Sequence, residues 1–560
     1  MIIRFIVFSF LMLQIFSCRA QNKFVENSDE INDTEINTNP KLVVGIIIDQ
    51  MRYDYLTRFY KRYGEGGFKR MVKEGFNCKN NHFDYIPTKT AAGHASVFTG
   101  TTPKYHGIIG NDWFDKDVNK KVNSVADSSY IPIGTDTVAK GASPHRLLVT
   151  TFSDENRLFT QMRGKTIGIS LKDRAVVLAS GHTANAAYWM NYKGDGNWVT
   201  SSFYMKELPK WVNDFNASDI TESYFKVWNT LYGIDTYIDS GPDLNTFERI
   251  FIGKETATFP YDLNALKSQN GNFKIIAESP FGNKLTTDFA LAAIDGEQLG
   301  QDNITDVLTI SYSSTDKVGH DFGVNAIETE DTYLRMDLEL ERLFNALDEK
   351  VGKGEYTVFL TADHGAQYTP AFLQSKKIPA GLFDLRKLKN ELNTLLYNRY
   401  KISNLILSNM LNQIFLDHKK IEENKLDLKK LKNVISLELL KYQLIDKVYV
   451  TSEINQFEGS NGYLENLLSN GHHQKRSGDI LFVFNPSVFK DAPWNRTGTD
   501  HHSGLDYDTH VPLLFFGKGI VHGSTLQKTL AIDIAPTMSA LLGISFPNAA
   551  TGQPLEFVLE

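Results

Sequence analysis

Cysteine is almost absent from this 560-residue chain: only Cys18 and Cys78 occur. Cys18 lies in the N-terminal leader, so Cys78 has no partner and no intramolecular disulfide holds the mature protein. Stability then has to come from a buried core and from any bound ions. Cys78 reads as a small residue packed near a strand. A basic excess is also missing. The net charge is −7 and the pI about 6.1, which removes the electrostatic case for nucleic-acid binding. No internal repeat is present. Long apolar runs are missing except at the start, where Arg4 is the only positive charge ahead of the apolar stretch Phe5–Phe16. That stretch is too short for a transmembrane span and suits the core of an export signal. Cleavage after Ala20 would release a periplasmic or secreted protein. The alternative is lipidation of Cys18 in the degenerate box Ile15-Phe16-Ser17-Cys18, which would anchor the chain to the outer membrane.

What is present is an alternation of patterns. Residues 1–20 read as the leader and 21–40 as a polar tether rich in Asn, Asp, Glu and Thr. From Lys41 onward, strand-like runs recur near 42–48, 165–170, 305–311, 356–361, 479–485 and 511–516. Helical patterns fall near 54–63, 66–74, 91–98, 284–296, 330–349 and 531–542. This predicts an α/β fold: a doubly wound, mostly parallel central sheet with helices on both faces, spanning 41–560. Two insertions are expected within it. Residues 195–280 are rich in Trp, Tyr, Gly and Asn and read as an irregular cap. Residues 380–445 place Leu385, Leu388 and Leu392, then Leu426, Leu431 and Val434, at helical spacing. They read as an amphipathic helical insertion packed on the core.

Three of the apolar runs end in metal-ligand chemistry. Leu42–Ile48 is followed by Asp49, Asp306–Ser311 by Asp316 and His320, and Tyr356–Leu360 by Asp363 and His364. Such runs read as buried parallel strands, and ligands of an open α/β sheet gather at the carboxyl ends of its strands. Carboxylates and imidazoles together suit zinc. A later segment, Gly498-Thr499-Asp500-His501-His502-Ser503, offers further imidazoles.

Pro87-Thr88-Lys89-Thr90 leads into a helical pattern and places Thr90 at its N-terminus, where backbone N–H groups and the helix dipole favour anions. Read by itself, Thr90 is an N-cap. Beside a metal, its hydroxyl becomes a candidate nucleophile.

These segments, in this order, resemble the alkaline phosphatase superfamily, and most nearly its bacterial PafA-type members. The resemblance runs from about Lys41 to the C-terminus and takes in Asp508-Thr509-His510-Val511-Pro512 and Asp533-Ile534-Ala535-Pro536-Thr537. It implies two Zn2+ ions, one held by Asp316, His320 and His501, the other by Asp49, Asp363 and His364 with the Thr90 oxygen facing it. It implies a covalent phosphothreonine at Thr90. Asn111 would donate to a phosphoryl oxygen. Lys172 and Arg174 would supply the charge that favours a monoester dianion over a diester.

The late segment has His502 where the family commonly has glycine. His501 keeps the expected spacing to Asp508 and is taken as the ligand, with His502 as the alternative. No Cys/Ser-x-Pro-x-Arg motif of sulfatases occurs. The expected function is therefore zinc-dependent hydrolysis of small-molecule phosphate monoesters with broad range, by a monomer. The rivals are a phosphodiesterase or nucleotide pyrophosphatase on the same core and a non-catalytic metal- or phosphate-binding surface protein.

Overall fold

The computed structural model describes residues 39–457, 462–491 and 497–560. The expected leader and nearly all of the tether therefore lie outside the described residues. Ten strands form the main sheet: β1 (Leu42–Ile48), β2 (Phe76–His82), β3 (Pro132–Ile133), β4 (Thr166–Ser170), β5 (Ala186–Met190), β6 (Trp198–Ser201), β7 (Asp306–Tyr312), β8 (Tyr356–Thr361), β9 (Leu513–Gly517) and β10 (Gly523–Leu530). Their order across the sheet is β10-β2-β9-β8-β1-β7-β4-β5-β6-β3.

The centre, β8-β1-β7-β4-β5, is parallel throughout. β1, β4, β7 and β8 are buried at every position, as strands covered on both faces must be. Towards the edges the sheet becomes mixed. β9 runs antiparallel to both β8 and β2, β6 to β5, and β3 to β6. An apolar run carries no signal for strand direction, so the sequence pattern does not distinguish these edges from the parallel centre.

Helices surround the sheet. Four matter for the site: α1 (Thr90–Thr99), α2 (Asp173–Ser180), α3 (Ser314–Phe322) and α4 (Ile327–Leu347). No helix among the described residues is long and apolar enough to cross a membrane.

A second apolar core sits apart from the first. Leu388, Leu392, Leu396, Leu431, Ile435 and Leu439 pack on Ile406, Ile414, Ile480 and Phe482. Each such burial contributes about 1.5–3 kcal/mol relative to exposure. The strands beneath form their own four-stranded sheet, in the order Ile406–Ser408, Gln413–Leu416, Ile480–Phe484, Ile445–Val450. The run at 479–485 thus belongs to this smaller sheet and not to the main one. Conversely, Trp198–Ser201 from the Trp- and Tyr-rich stretch is a main-sheet strand.

Candidate metal centre and active site

The three central strands deliver their ligands side by side. Asp49 follows β1, Asp316 and His320 lie in α3 after β7, and Asp363 and His364 follow β8. Because β1 pairs with both β7 and β8, these ends converge. Asp316 and His320, four residues apart, share one face of α3. His501 arrives from the loop before the short helix Asp506–Thr509.

Two groups result: Asp316, His320 and His501, and Asp49, Asp363 and His364. Within each, the candidate ligand atoms lie within 4.8 Å of one another. The His364 and His501 rings stack at 3.3 Å with 9° between their planes, which sets the groups against each other. His502 stays outside. Its ring meets Phe484, and its backbone N–H donates to Asp508.

The donor set fits a metal on several counts. In each of the three histidines Nδ1 faces a backbone carbonyl: Thr499 for His320 (2.8 Å), Gly365 for His364 (2.9 Å) and Thr88 for His501 (2.8 Å). An Nδ1–H donated there leaves Nε2 as a lone pair, the arrangement of metal-binding imidazoles. Those Nε2 atoms face carboxylate oxygens, His320 to Asp316 at 3.1 Å and His364 to Asp363 at 3.4 Å and to Asp49 at 3.7 Å. Lone pairs facing one another call for a cation. Asp49 Oδ1 and Asp363 Oδ2 are buried with no hydrogen-bond partner among the described residues.

The electrostatics agree. Burial, then Asp316 and Asp363, push the Asp49 carboxyl well above its ordinary range. Burial works against the Asp316 charge too, but His320 and Lys172 hold it well below. Burial keeps His364 and His501 low, with His364 itself adding to the effect on His501. Neutral imidazoles are the form that binds metal; burial opposes the charge of His320 too, but Asp316 beside it raises this one, so an ion there would take the place of its proton.

Thr90 opens α1 as its first helical residue, with extended Lys89 before it and no side-chain cap. The reading of Thr90 as an N-cap is therefore replaced. Its hydroxyl lies 3.5 Å from His364 Nε2, facing the Asp49 group. The neighbouring Ala91 N–H donates to Asn111 Oδ1 at 2.8 Å, which orients the Asn111 amide at the helix start. Gly93 lets α1 rest on the Asp363 loop, since a Cβ there would lie 2.2 Å from the Asp363 carbonyl oxygen.

Lys172 Nζ sits 2.6 Å from Asp49 Oδ2 and 2.5 Å from Asp316 Oδ2, touching one member of each group. Burial opposes its charge, but Asp316 and Asp49 outweigh that and raise its pKa. Arg174 enters the first turn of α2 with its Nε buried and unpartnered among the described residues. Thr90, Asn111, Lys172 and the six candidate ligands thus gather at the carboxyl ends of β8, β1 and β7, and Arg174 follows Lys172 into α2.

Some supporting residues escaped the sequence reading. His94, one turn after Thr90, faces the Thr90 carbonyl at 2.8 Å and Ser311 Oγ at 2.9 Å, with Asp363 Oδ2 3.4 Å away. Lys89 pairs with Asp500 at 3.5 Å and also donates to the His501 carbonyl, tying the late loop to the start of α1. Gln50 donates from its backbone N to Asp363 Oδ1 (3.1 Å) and from its side-chain Nε2 to Asp316 Oδ1 (2.7 Å). The His94 spacing of four from Thr90 is the one signal that was readable in advance.

Comparison with known proteins places this geometry among relatives. A family model described as Type I phosphodiesterase / nucleotide pyrophosphatase matches residues 43–507. Alkaline phosphatase PafA of Elizabethkingia meningoseptica is 44% identical over 523 residues, covering 93% of this chain and 94% of the relative. Alkaline phosphatase PhoV of Synechococcus elongatus is 43% identical over 563 aligned residues, covering 100% of each. A crystal structure of wild-type PafA superposes with a TM-score of 0.89 at 44% identity, covering 93% of this chain and 99% of that one.

Proposed function

The chain belongs to the Type I phosphodiesterase / nucleotide pyrophosphatase family, within the alkaline phosphatase superfamily, and from that premise we propose how it hydrolyses phosphate monoesters as an alkaline phosphatase. The observation that carries the reading is one juxtaposition at the carboxyl edge of β8, β1 and β7. The Thr90 hydroxyl, two three-ligand groups and the Lys172 ammonium meet there.

Asp316, His320 and His501 would hold one zinc ion, and Asp49, Asp363 and His364 a second. Bound there, zinc supplies Lewis-acid stabilisation of the attacking and departing oxygens of an in-line displacement. The chain's own residues do the rest. Thr90 Oγ1 gives up its proton to solvent and attacks phosphorus, the bond from phosphorus to the leaving oxygen breaks, that oxygen takes a proton from solvent, and the phosphoryl group is carried as a phosphothreonine. Water then breaks the Thr90 Oγ1–phosphorus bond and releases inorganic phosphate.

Asn111, its carbonyl committed to Ala91 N–H, presents its amide as a donor to a phosphoryl oxygen. Lys172 and Arg174 supply fixed positive charge. A monoester dianion carries one more charged oxygen than a diester, so that charge favours it. Recognition centred on the phosphoryl group leaves the organic half loosely specified, which gives a broad range. The apolar leader adds export to the periplasm or the medium to this reading.

The test is steady-state turnover of an aryl phosphate monoester and a methyl aryl phosphate diester by the zinc-loaded wild type and by Lys172→Ala/Arg174→Ala. The expected loss is about 10²–10³-fold on the monoester and much less on the diester. Equal losses would overturn the charge argument. A wild type that prefers the diester would move the protein to the phosphodiesterase branch.

A further inference from the structure

Gln50 has a place in the fold that no ordinary packing need explains. It is the first residue after Asp49, at the end of the strand lying between β7 and β8. It is 3% exposed, and its backbone is left-handed, with φ of 68°. Glycine adopts that conformation freely, whereas a residue with a side chain is disfavoured in it. The room for the side chain is made by the partner helix. A Cβ on Gly319 of α3 would come within 2.0 Å of Gln50 Oε1. A strained backbone and a glycine opposite both serve to seat one amide against Asp316.

We propose that Gln50 is a positioning residue that yokes the two ligand groups. Its backbone N–H orients Asp363 Oδ1 in one group, and its side-chain Nε2 orients Asp316 Oδ1 in the other. An ionised carboxylate only accepts hydrogen bonds, so the NH2 end of the amide must face Asp316. Thr315 Oγ1 and Tyr333 OH donate to the carbonyls of Asp49 and Gln50 and hold the turn from behind. Donors of this kind fix ligand orientation, and losing one typically costs about 10–100-fold in metal affinity. The proposal rests on the reading that Asp316 and Asp363 hold ions.

Gln50→Gly separates positioning from structure. It keeps the backbone N–H to Asp363, relieves the left-handed strain and removes only the amide on Asp316. The full chain is stripped with a chelator and titrated with Zn2+ against a chromophoric competitor. Tm is measured on the metal-free proteins, and Asp316→Asn is run in parallel. The expected result is two equivalents on the wild type, with one weakened about 10–100-fold in Gln50→Gly. The other equivalent and the metal-free Tm stay at wild-type level or above. Gln50→Glu, which sets a second carboxylate against Asp316, weakens the same equivalent further.

Wild-type affinity for both equivalents in Gln50→Gly, with Asp316→Asn defective, overturns the proposal alone. Equal weakening of both equivalents with a lowered Tm also overturns it, in favour of a purely structural role. A wild type that takes up no zinc overturns the site reading and this proposal together.

Discussion

Asp49 and Asp479 are both buried aspartates flanking apolar strands, Asp49 after β1 of the main sheet and Asp479 before Ile480–Phe484 of the smaller one. Their surroundings push them in opposite directions. Asp479 accepts from Leu416 N at 3.0 Å and from His418 Nε2 at 2.8 Å, with Lys432 Nζ 3.4 Å away. Burial alone would raise it, but those partners hold it below the usual carboxylate range. Asp49 has one oxygen on Lys172 and the other without a hydrogen-bond partner among the described residues, and burial with two neighbouring acids raises it. One acid is complete within the chain; the other, on the proposed function, is completed by a bound ion. That difference separates an acid that holds a fold together from an acid that works.

The sharpest way to break this contrast is at the hydroxyl beside the incomplete acid. Thr90→Ala should lower kcat/KM for an aryl phosphate by about 10³-fold or more, with zinc uptake at the wild-type level. Unchanged turnover would assign the attack elsewhere.

Next comes the pair of acids themselves. Zinc at about a hundred times its Kd should stabilise the wild type by about 2.7 kcal/mol per site. Asp49→Asn should lose most of the increment of its own site, and Asp479→Asn should keep all of it. Asp479→Asn should instead cost about 1–3 kcal/mol, with turnover unchanged, as read from denaturant melts with and without zinc. Because its pKa is depressed, the Asp479 contribution is present above the unfolded value near pH 4 and is lost as pH falls through the folded one. An Asp479→Asn variant that lost its zinc increment would erase the comparison.

A smaller effect extends the contrast to a third kind of buried acid. Glu248 and Glu328 are raised to about 9 and about 8, first by burial; Glu328 adds to the effect on Glu248. Tyr261 OH donates to Glu328, and the Oε2 atoms of both glutamates lack partners among the described residues. Raised acids stabilise the fold fully below their unfolded pKa, near 4.3, and that stability is lost as pH rises towards the folded values. Glu328→Gln should make stability fall less steeply between about pH 5 and pH 8, by up to about 1.4 kcal/mol per pH unit. The check is ΔG of unfolding against pH. An unchanged slope would mean that the pair is ionised in the fold.

How much of this was legible in the sequence follows from the range of the forces involved. Asp49, Asp316 and Asp363 were visible because a buried parallel strand must be apolar along its length, so a charge at its end stands out. Lys172 and Arg174 had no local signal, and only the resemblance singled them out. Gln50 was silent because its role depends on a backbone twist and on a glycine 269 positions further along, neither of which shows as periodicity. The run at 479–485 was seen as a strand and placed in the wrong sheet, since apolar character does not name a partner. Leu385, Leu388 and Leu392 were read as helical, as they are, but they pack in a core of their own. The antiparallel edges were hidden for the same reason.

The Lys89–Asp500 contact spans 411 residues of chain. It joins the start of α1 to the loop that delivers His501, and the whole smaller sheet lies between the two in the chain. Contacts of such sequence separation form late, because loop closure must precede the interactions that reward it. A chain ending before that loop carries the segments of β1 to β8 but lacks His501, so one of the two ligand groups is incomplete in it. Turnover during refolding should therefore lag behind the recovery of secondary structure, which makes phosphate release a clock for the completion of the fold.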